Sequence, residues 1–249
     1  MMIQKLSSIH LDPSNCHEVL TRITEGLQHE GVVIIDTRAI NQSLPQKESY
    51  LSVTELEELE KITSDKRKGQ FVSSRWLLKT VLSHLLSIKS NQIKFTKGLH
   101  GKPTLSKDQN TLGIDFNLSH KENISLLGIT NRGQIGVDVE EIIANDRLLR
   151  IAQRYFHPEE LQWIHSAESE LEIAQRFYRI WSLKESLIKT IGGGIFQNLQ
   201  SFRVECFESS VQLHSPHWPW KDQDQWSFFE VKDLAPFIAT VSILKSRGN

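Results

Sequence analysis

The sequence predicts an α+β protein of two similar lobes in a pseudo-twofold arrangement, each lobe a small sheet packed against a long helix. Three observations carry this expectation. A strand, helix, helix order occurs twice along the chain, and runs of β-branched and aromatic residues return after the last helix. The length of 249 residues, 39% of them hydrophobic and 24% charged, is ample for a sizeable core.

In the first half, the apolar run Gly31-Val-Val-Ile-Ile-Asp36 predicts a strand. Thr54-Glu-Leu-Glu-Glu-Leu-Glu60 predicts an acidic helix, and a longer one begins near Phe71. Phe71, Trp76, Leu78, Val81, Leu82 and Leu85 recur mostly three and four apart, which buries one stripe of a helix over 71–88. Three short apolar runs between Ile114 and Val139 are separated by polar turns, one of them Asn131-Arg132-Gly133, and predict an antiparallel meander. The third run, Gln134-Ile-Gly-Val-Asp-Val-Glu140, also starts the second repeat. Helices are expected through about 145–190, with Pro158 near a start and Gly192-Gly193-Gly194 at the end. Strands are then expected at 202–207, 226–231 and 238–244. A shift of about 102 aligns the repeated strands and one of about 106 the long helices, so the lobes are expected at 1–112 and 113–249. The alternative is that any two strand, helix, helix units look alike.

With Lys+Arg 29 and Asp+Glu 30, the formal net charge of −1 provides no global field for nucleic acid or anionic lipid, so an anion site must be local. No window approaches a membrane-spanning apolar run, and the first residues lack an export pattern, so a cytoplasmic protein is expected. Cys16 and Cys206 lie far apart without metal-type spacing and read as ordinary thiols.

Asp138 and Glu140 stand two apart on a strand, which points both carboxylates to one face. Shared coordination of a hard cation such as Mg²⁺ would keep both ionised; a strand end running into solvent is the plainer reading. Trp181, Glu185 and Lys189 recur every four residues along one helix face, where Glu185 can join an oxygen-ligand set and Lys189 can meet a phosphate. An exposed Glu–Lys pair is again the plainer reading. Lys184 points about 100° away from that face, toward the surface. Gly101-Lys102-Pro103-Thr104 is a turn carrying a cation, Asn117-Leu-Ser119-His120 ends a strand on a hydroxyl beside an imidazole, and Lys66, Arg67, Lys68 and Arg75 open the long helix. Together these suit a phosphorylated ligand. Tyr155, Phe156 and Trp163 around Pro158 offer either core or a protein-docking face. Neither a Walker-type loop nor a GxGxxG turn nor a GxSxG elbow is present, which excludes those nucleotide and hydrolase chemistries.

The ordered series Gly101-Lys-Pro, Phe116-Asn-Leu-Ser-His120, Ile135-Gly-Val-Asp-Val-Glu140, Arg154-Tyr-Phe-His-Pro-Glu-Glu160 and Trp181-Ser-Leu-Lys-Glu-Ser-Leu-Ile-Lys189 resembles the 4′-phosphopantetheinyl transferases. It is similar to their larger, two-lobed, surfactin-synthetase-activating class. The resemblance implies transfer of the phosphopantetheine arm of coenzyme A, the co-substrate, to a serine of an apo acyl or peptidyl carrier protein, with release of adenosine 3′,5′-bisphosphate. It implies Asp138, Glu140 and Glu185 as Mg²⁺ ligands, Lys189 on a phosphate oxygen, and Glu185 or Glu140 as the base for the serine. Lys102 and Pro103 would lie against the adenine, and Ser119, His120, Arg67 and Arg75 would approach the phosphates. The site would span the lobe junction of a cytoplasmic monomer, with no role for nucleic acid or membrane. A non-catalytic coenzyme A or carrier-protein binder of the same fold is the alternative.

Overall fold

A computed structural model describes residues 4–38, 44–98, 101–193, 199–206, 211–215 and 223–246. The chain forms two compact units, Ser8–Gly133 and Gln134–Asn249 with Met1–Ser7. No helix among the described residues is long and apolar enough to cross a membrane.

The first unit holds a sheet in the order β2 (Ile9–His10), β3 (Val32–Thr37), β7 (Ile124–Thr130), β6 (Asp115–Lys121). β2 runs parallel to β3, whereas β3 and β6 both pair antiparallel with β7, in registers such as Val33 with Ile129 and Leu118 with Leu127. Helices α1 (Cys16–His29), α2 (Val53–Lys61) and α3 (Asp65–Leu86) contribute Ile23, Leu59, Trp76, Leu77 and Val81 to one core with Phe116, Leu127 and Ile129 from the sheet. A short hairpin, β4 (Phe95–Lys97) with β5 (Pro103–Leu105), precedes β6.

The second unit holds a sheet in the order β1 (Gln4–Ser7), β11 (Trp226–Lys232), β12 (Phe237–Lys245), β8 (Gly133–Glu141). Helices α4 (Leu148–Tyr155), α5 (Pro158–His165) and α6 (Glu170–Thr190) follow β8, and the hairpin β9 (Arg203–Cys206) with β10 (Val211–His214) follows α6. α6 packs along β12, where Ser182 and Thr190 meet Thr240 and Ser242 through hydroxyl hydrogen bonds of 2.8 and 2.6 Å.

The repeat therefore extends beyond the expected strand and two helices. Each unit runs strand, helices, hairpin and a second hairpin that completes the sheet, with β3-β7-β6 in one matched by β8-β12-β11 in the other. The helix pairs register at one offset. Ser52 and His157, Glu55 and Glu160, Trp76 and Trp181, and Lys79 and Lys184 are each 105 residues apart. Ser52 and His157 both start capping boxes closed by the glutamate three residues on. His157 accepts from the Glu159 amide through Nδ1, and burial, reinforced by the Lys184, Arg203 and His214 charges, keeps its pKa below the usual value.

One expectation is corrected. The three runs of 114–139 are not one meander: β6 and β7 pair, while β8 belongs to the other sheet. The reason is that β8 pairs with β12, about a hundred residues further on, a partner that no local pattern shows. The two compact units divide at 133/134, with the first seven residues in the second unit. Helix α1 escapes the sequence reading although Val19, Ile23 and Leu27 recur every four residues and are its buried face. Helix α6 ends at Thr190 and Gly192 takes a positive φ of 66° as expected; Gly194 and Phe207 lie outside the described residues.

Candidate active site

In the second unit the arrangement begins with a glycine. Gly136 lies on the same face of β8 as Asp138 and Glu140, and a Cβ there would collide with the Ser186 carbonyl oxygen and the Thr190 nitrogen and hydroxyl of α6. Only glycine lets the helix settle this closely on the strand. Ser182 then donates to the Asp138 carbonyl at 3.4 Å, and Lys189 Nζ donates to Asp138 Oδ1 at 2.6 Å. Gly136→Ala is expected to cost about 3 kcal/mol, since both colliding groups include helix backbone. Denaturant unfolding checks it, and an unchanged midpoint would mean that α6 can lift from β8 freely.

Asp138 is buried, whereas Glu140, Glu185 and Lys189 are partly exposed, so this corner presents three carboxylates to one ammonium. Burial pushes the Glu185 carboxyl above the usual range; Asp138 and Glu140 push it further up and Lys189 opposes them. Glu185 thus feels the charge of both other acids. Hard oxygen donors in excess of cations are the donor set a divalent ion such as Mg²⁺ takes. Among the described residues, however, no group of three or more His, Cys, Asp or Glu side chains is gathered closely enough to hold a metal ion. The ion pair with Lys189 engages one of the proposed ligands instead.

Lys184 does not lie at the surface. It is fully buried, 2.8 Å from Glu160 Oε2, and donates to the Leu199 and Phe202 carbonyls at 2.7 and 2.8 Å, with the Phe202 ring 4.6 Å away. Glu160 also accepts from the His157 and Val204 amides. Burial pushes Lys184 down and Glu160 up, each opposed by its partner. The pair ties α5, α6 and β9 together behind the Glu185–Lys189 face. Phe156 is likewise core, 5.2 Å from the Phe177 ring and 6.2 Å from Trp181, and Tyr155 and Trp163 pack against the same cluster. The docking alternative for this aromatic stretch therefore loses its central residue.

The first unit carries the other predicted residues. Lys102 follows Gly101, whose φ of 88° favours glycine, and its ammonium is 2.6 Å from Asp115 Oδ2, a partner the sequence reading missed. Pro103 opens β5 opposite Lys97. Ser119 and His120 both belong to β6 and face opposite sides, Ser119 buried and His120 exposed. Arg67 is exposed in the first turn of α3, where its amide donates to the Ser64 cap. Lys66 pairs with Glu122 at 2.9 Å on the surface. Arg75 is held 3.3 Å from Glu55, which also pairs with the fully buried Lys79. Arg75, Pro103, Phe95 and Lys97 line a cavity of about 780 Å³.

A family model described as the 4′-phosphopantetheinyl transferase superfamily matches residues 134–241, and one described as 4′-phosphopantetheinyl transferase, N-terminal, matches residues 38–130. The chain is 33% identical over 152 residues to a putative 4′-phosphopantetheinyl transferase of Synechocystis sp., a match covering 61% of each chain. It is 32% identical over 145 residues to a 4′-phosphopantetheinyl transferase of Nostoc sp., covering 58% of this chain and 61% of that one. The match spans less than two thirds of these two relatives' length. Human L-aminoadipate-semialdehyde dehydrogenase-phosphopantetheinyl transferase is 26% identical over 205 residues, 74% of this chain and 66% of the other. Among solved structures, holo-[acyl-carrier-protein] synthase of Thermotoga maritima is similar with a TM-score of 0.38 and 16% identity over 47% of this chain and 65% of that one.

Proposed function

We propose that the chain is a 4′-phosphopantetheinyl transferase that moves the 4′-phosphopantetheine arm of coenzyme A onto a serine of an apo acyl or peptidyl carrier protein, a reading supported by the two family models that match residues 134–241 and 38–130. The observation that carries the proposal is the β8–α6 corner, where Asp138 holds Lys189 and where Glu185 is acted on by the charges of Asp138, Glu140 and Lys189. In this reading the serine oxygen attacks the phosphorus that bears the pantetheine arm. The bridging P–O bond breaks, and adenosine 3′,5′-bisphosphate leaves with the electron pair.

Phosphoryl transfer asks the protein mainly to position groups and neutralise charge. Lys189, fixed by Asp138, would meet a phosphate oxygen as negative charge builds on the leaving side. The serine proton would pass to Glu185 or Glu140. Asp138, Glu140 and Glu185 are the oxygen donors that would hold Mg²⁺, which would supply charge neutralisation at the pyrophosphate; as they stand they are not gathered around one point, so holding the ion requires them to draw together. In the first unit, Lys102 and Pro103 would take the adenine, and Arg67, Arg75, Ser119 and His120 the phosphates. The working form proposed is a cytoplasmic monomer that binds neither nucleic acid nor membrane.

Calorimetric titration of coenzyme A tests the binding half. Affinity is expected to fall at least about tenfold when Mg²⁺ is replaced by a chelator. Equal affinity in both conditions would remove the divalent ion from the reading.

A further inference from the structure

The internal repeat lets one part of the chain act as a control for another. In both units a buried lysine of the long helix meets the glutamate that closes a capping box, Lys79 with Glu55 and Lys184 with Glu160. In both, Oε2 of the glutamate takes the lysine and the amide of the capping residue. The two glutamates differ at Oε1. Glu160 Oε1 accepts the Val204 amide at 2.7 Å, which completes a purely structural clasp. Glu55 Oε1 instead faces Arg75 Nε at 3.3 Å.

At the offset of 105, the counterpart of Arg75 is Ile180, fully buried in its core. The clasp therefore needs no arginine, and Arg75 is an addition peculiar to the first unit. Its guanidinium carbon lies 5.1 Å from the Phe71 ring centre and 5.9 Å from that of Phe95, so two rings and a carboxylate fix its plane. Arg75 and Glu55 both line the cavity of about 780 Å³, which Lys94 and Lys97 also border. Glu55 is thus shared between Lys79, which is buried, and Arg75, which borders the cavity together with Glu58.

We propose that Glu55 is a positioning residue: by engaging Arg75 at Nε it turns the Nη edge of the guanidinium toward a phosphate monoester of the ligand, the 3′-phosphate of coenzyme A. The proposal rests on the coenzyme A reading given above. A guanidinium oriented in this way presents two parallel donors, which is the geometry that favours bidentate phosphate binding.

The test compares coenzyme A with 3′-dephospho-coenzyme A by calorimetry, alongside melting temperature. The wild-type chain is expected to prefer coenzyme A by roughly tenfold to a hundredfold, the range for one charge-assisted hydrogen bond. Lys79→Met keeps Glu55 on Arg75, and its preference should match wild type. Glu55→Gln in the Lys79→Met background strands no lysine in the core and takes from Arg75 the carboxylate that orients it, and its preference should fall to within about threefold of unity without a matching loss of melting temperature. Glu55→Asp, which keeps the charge beside Lys79 but withdraws it from Arg75, should lower the preference as well. Wild-type preference in both Glu55 variants, with Arg75→Ala abolishing it, overturns the positioning role while leaving the coenzyme A reading intact. If Arg75→Ala keeps the preference, or the wild-type chain has none, the assignment of Arg75 to the phosphate falls and the positioning role with it.

Discussion

Asp138→Ala is expected to lower phosphopantetheine transfer by roughly two to three orders of magnitude, the size seen when a charge-stabilising group is removed from a reacting centre. The side chain does three things at once. Its Oδ1 holds Lys189 at 2.6 Å, its negative charge helps push the Glu185 carboxyl up, and it stands on the face of β8 that Gly136 opens to α6. Without it, Lys189 loses that contact and Glu185 is more readily ionised. The loss should appear in kcat and also as weaker coenzyme A binding, because Asp138 is a proposed ligand of the Mg²⁺ that is expected to strengthen that binding. Asp138 is also buried, so part of the effect will be structural, about 1.5–3 kcal/mol for a lost charged hydrogen bond. Asp138→Asn separates the two, since it keeps the volume while removing the charge. Activity within a few-fold of wild type in both variants would remove Asp138 from the site.

Lys184→Ala is expected to be the most destabilising change on α6, at about 3–5 kcal/mol. It strands Glu160 with its charge inside the core and leaves the Leu199 and Phe202 carbonyls without their ammonium donor. Replacing both partners, Lys184→Met with Glu160→Gln, should recover most of that loss, because paired neutral groups of similar volume carry no desolvation cost. Urea unfolding of the two single variants and the double one decides the matter. A double variant no better than Lys184→Ala would mean that the carbonyl contacts, and not the ion pair, carry the stability.

Why these clasps escape a reading of the sequence is physical. In Trp181-Ser-Leu-Lys184-Glu185 the helical period places Lys184 off the Glu185–Lys189 face, and a lysine off a functional face is ordinarily solvated. Its burial depends on Glu160, 24 residues earlier, and on the Leu199 and Phe202 carbonyls, none of which periodicity can bring near it. The same holds for Lys102 and Asp115, joined only when β5 and β6 are in place. By contrast α2, α3, α5 and α6 were legible because stripes at three and four spacing, capping residues and Pro158 act within one or two turns. The alternation of Asp138 and Glu140 with Val137 and Val139 on β8 is local in the same way, and the structure keeps both carboxylates on one face. The partner of β8 is not local. Its pairing with β12 joins residues about a hundred positions apart, and so local pattern alone joins the run to the β6–β7 hairpin.

The intact mass of an apo carrier protein after incubation with this chain, coenzyme A and Mg²⁺ tests the proposed transfer most directly. The expected result is a single gain equal to one phosphopantetheine, absent when the carrier's acceptor serine is replaced by alanine and when Asp138→Ala replaces the wild-type chain. An unmodified carrier across acyl and peptidyl types, with coenzyme A nevertheless bound by the chain, would contradict transfer and leave a coenzyme A binding protein.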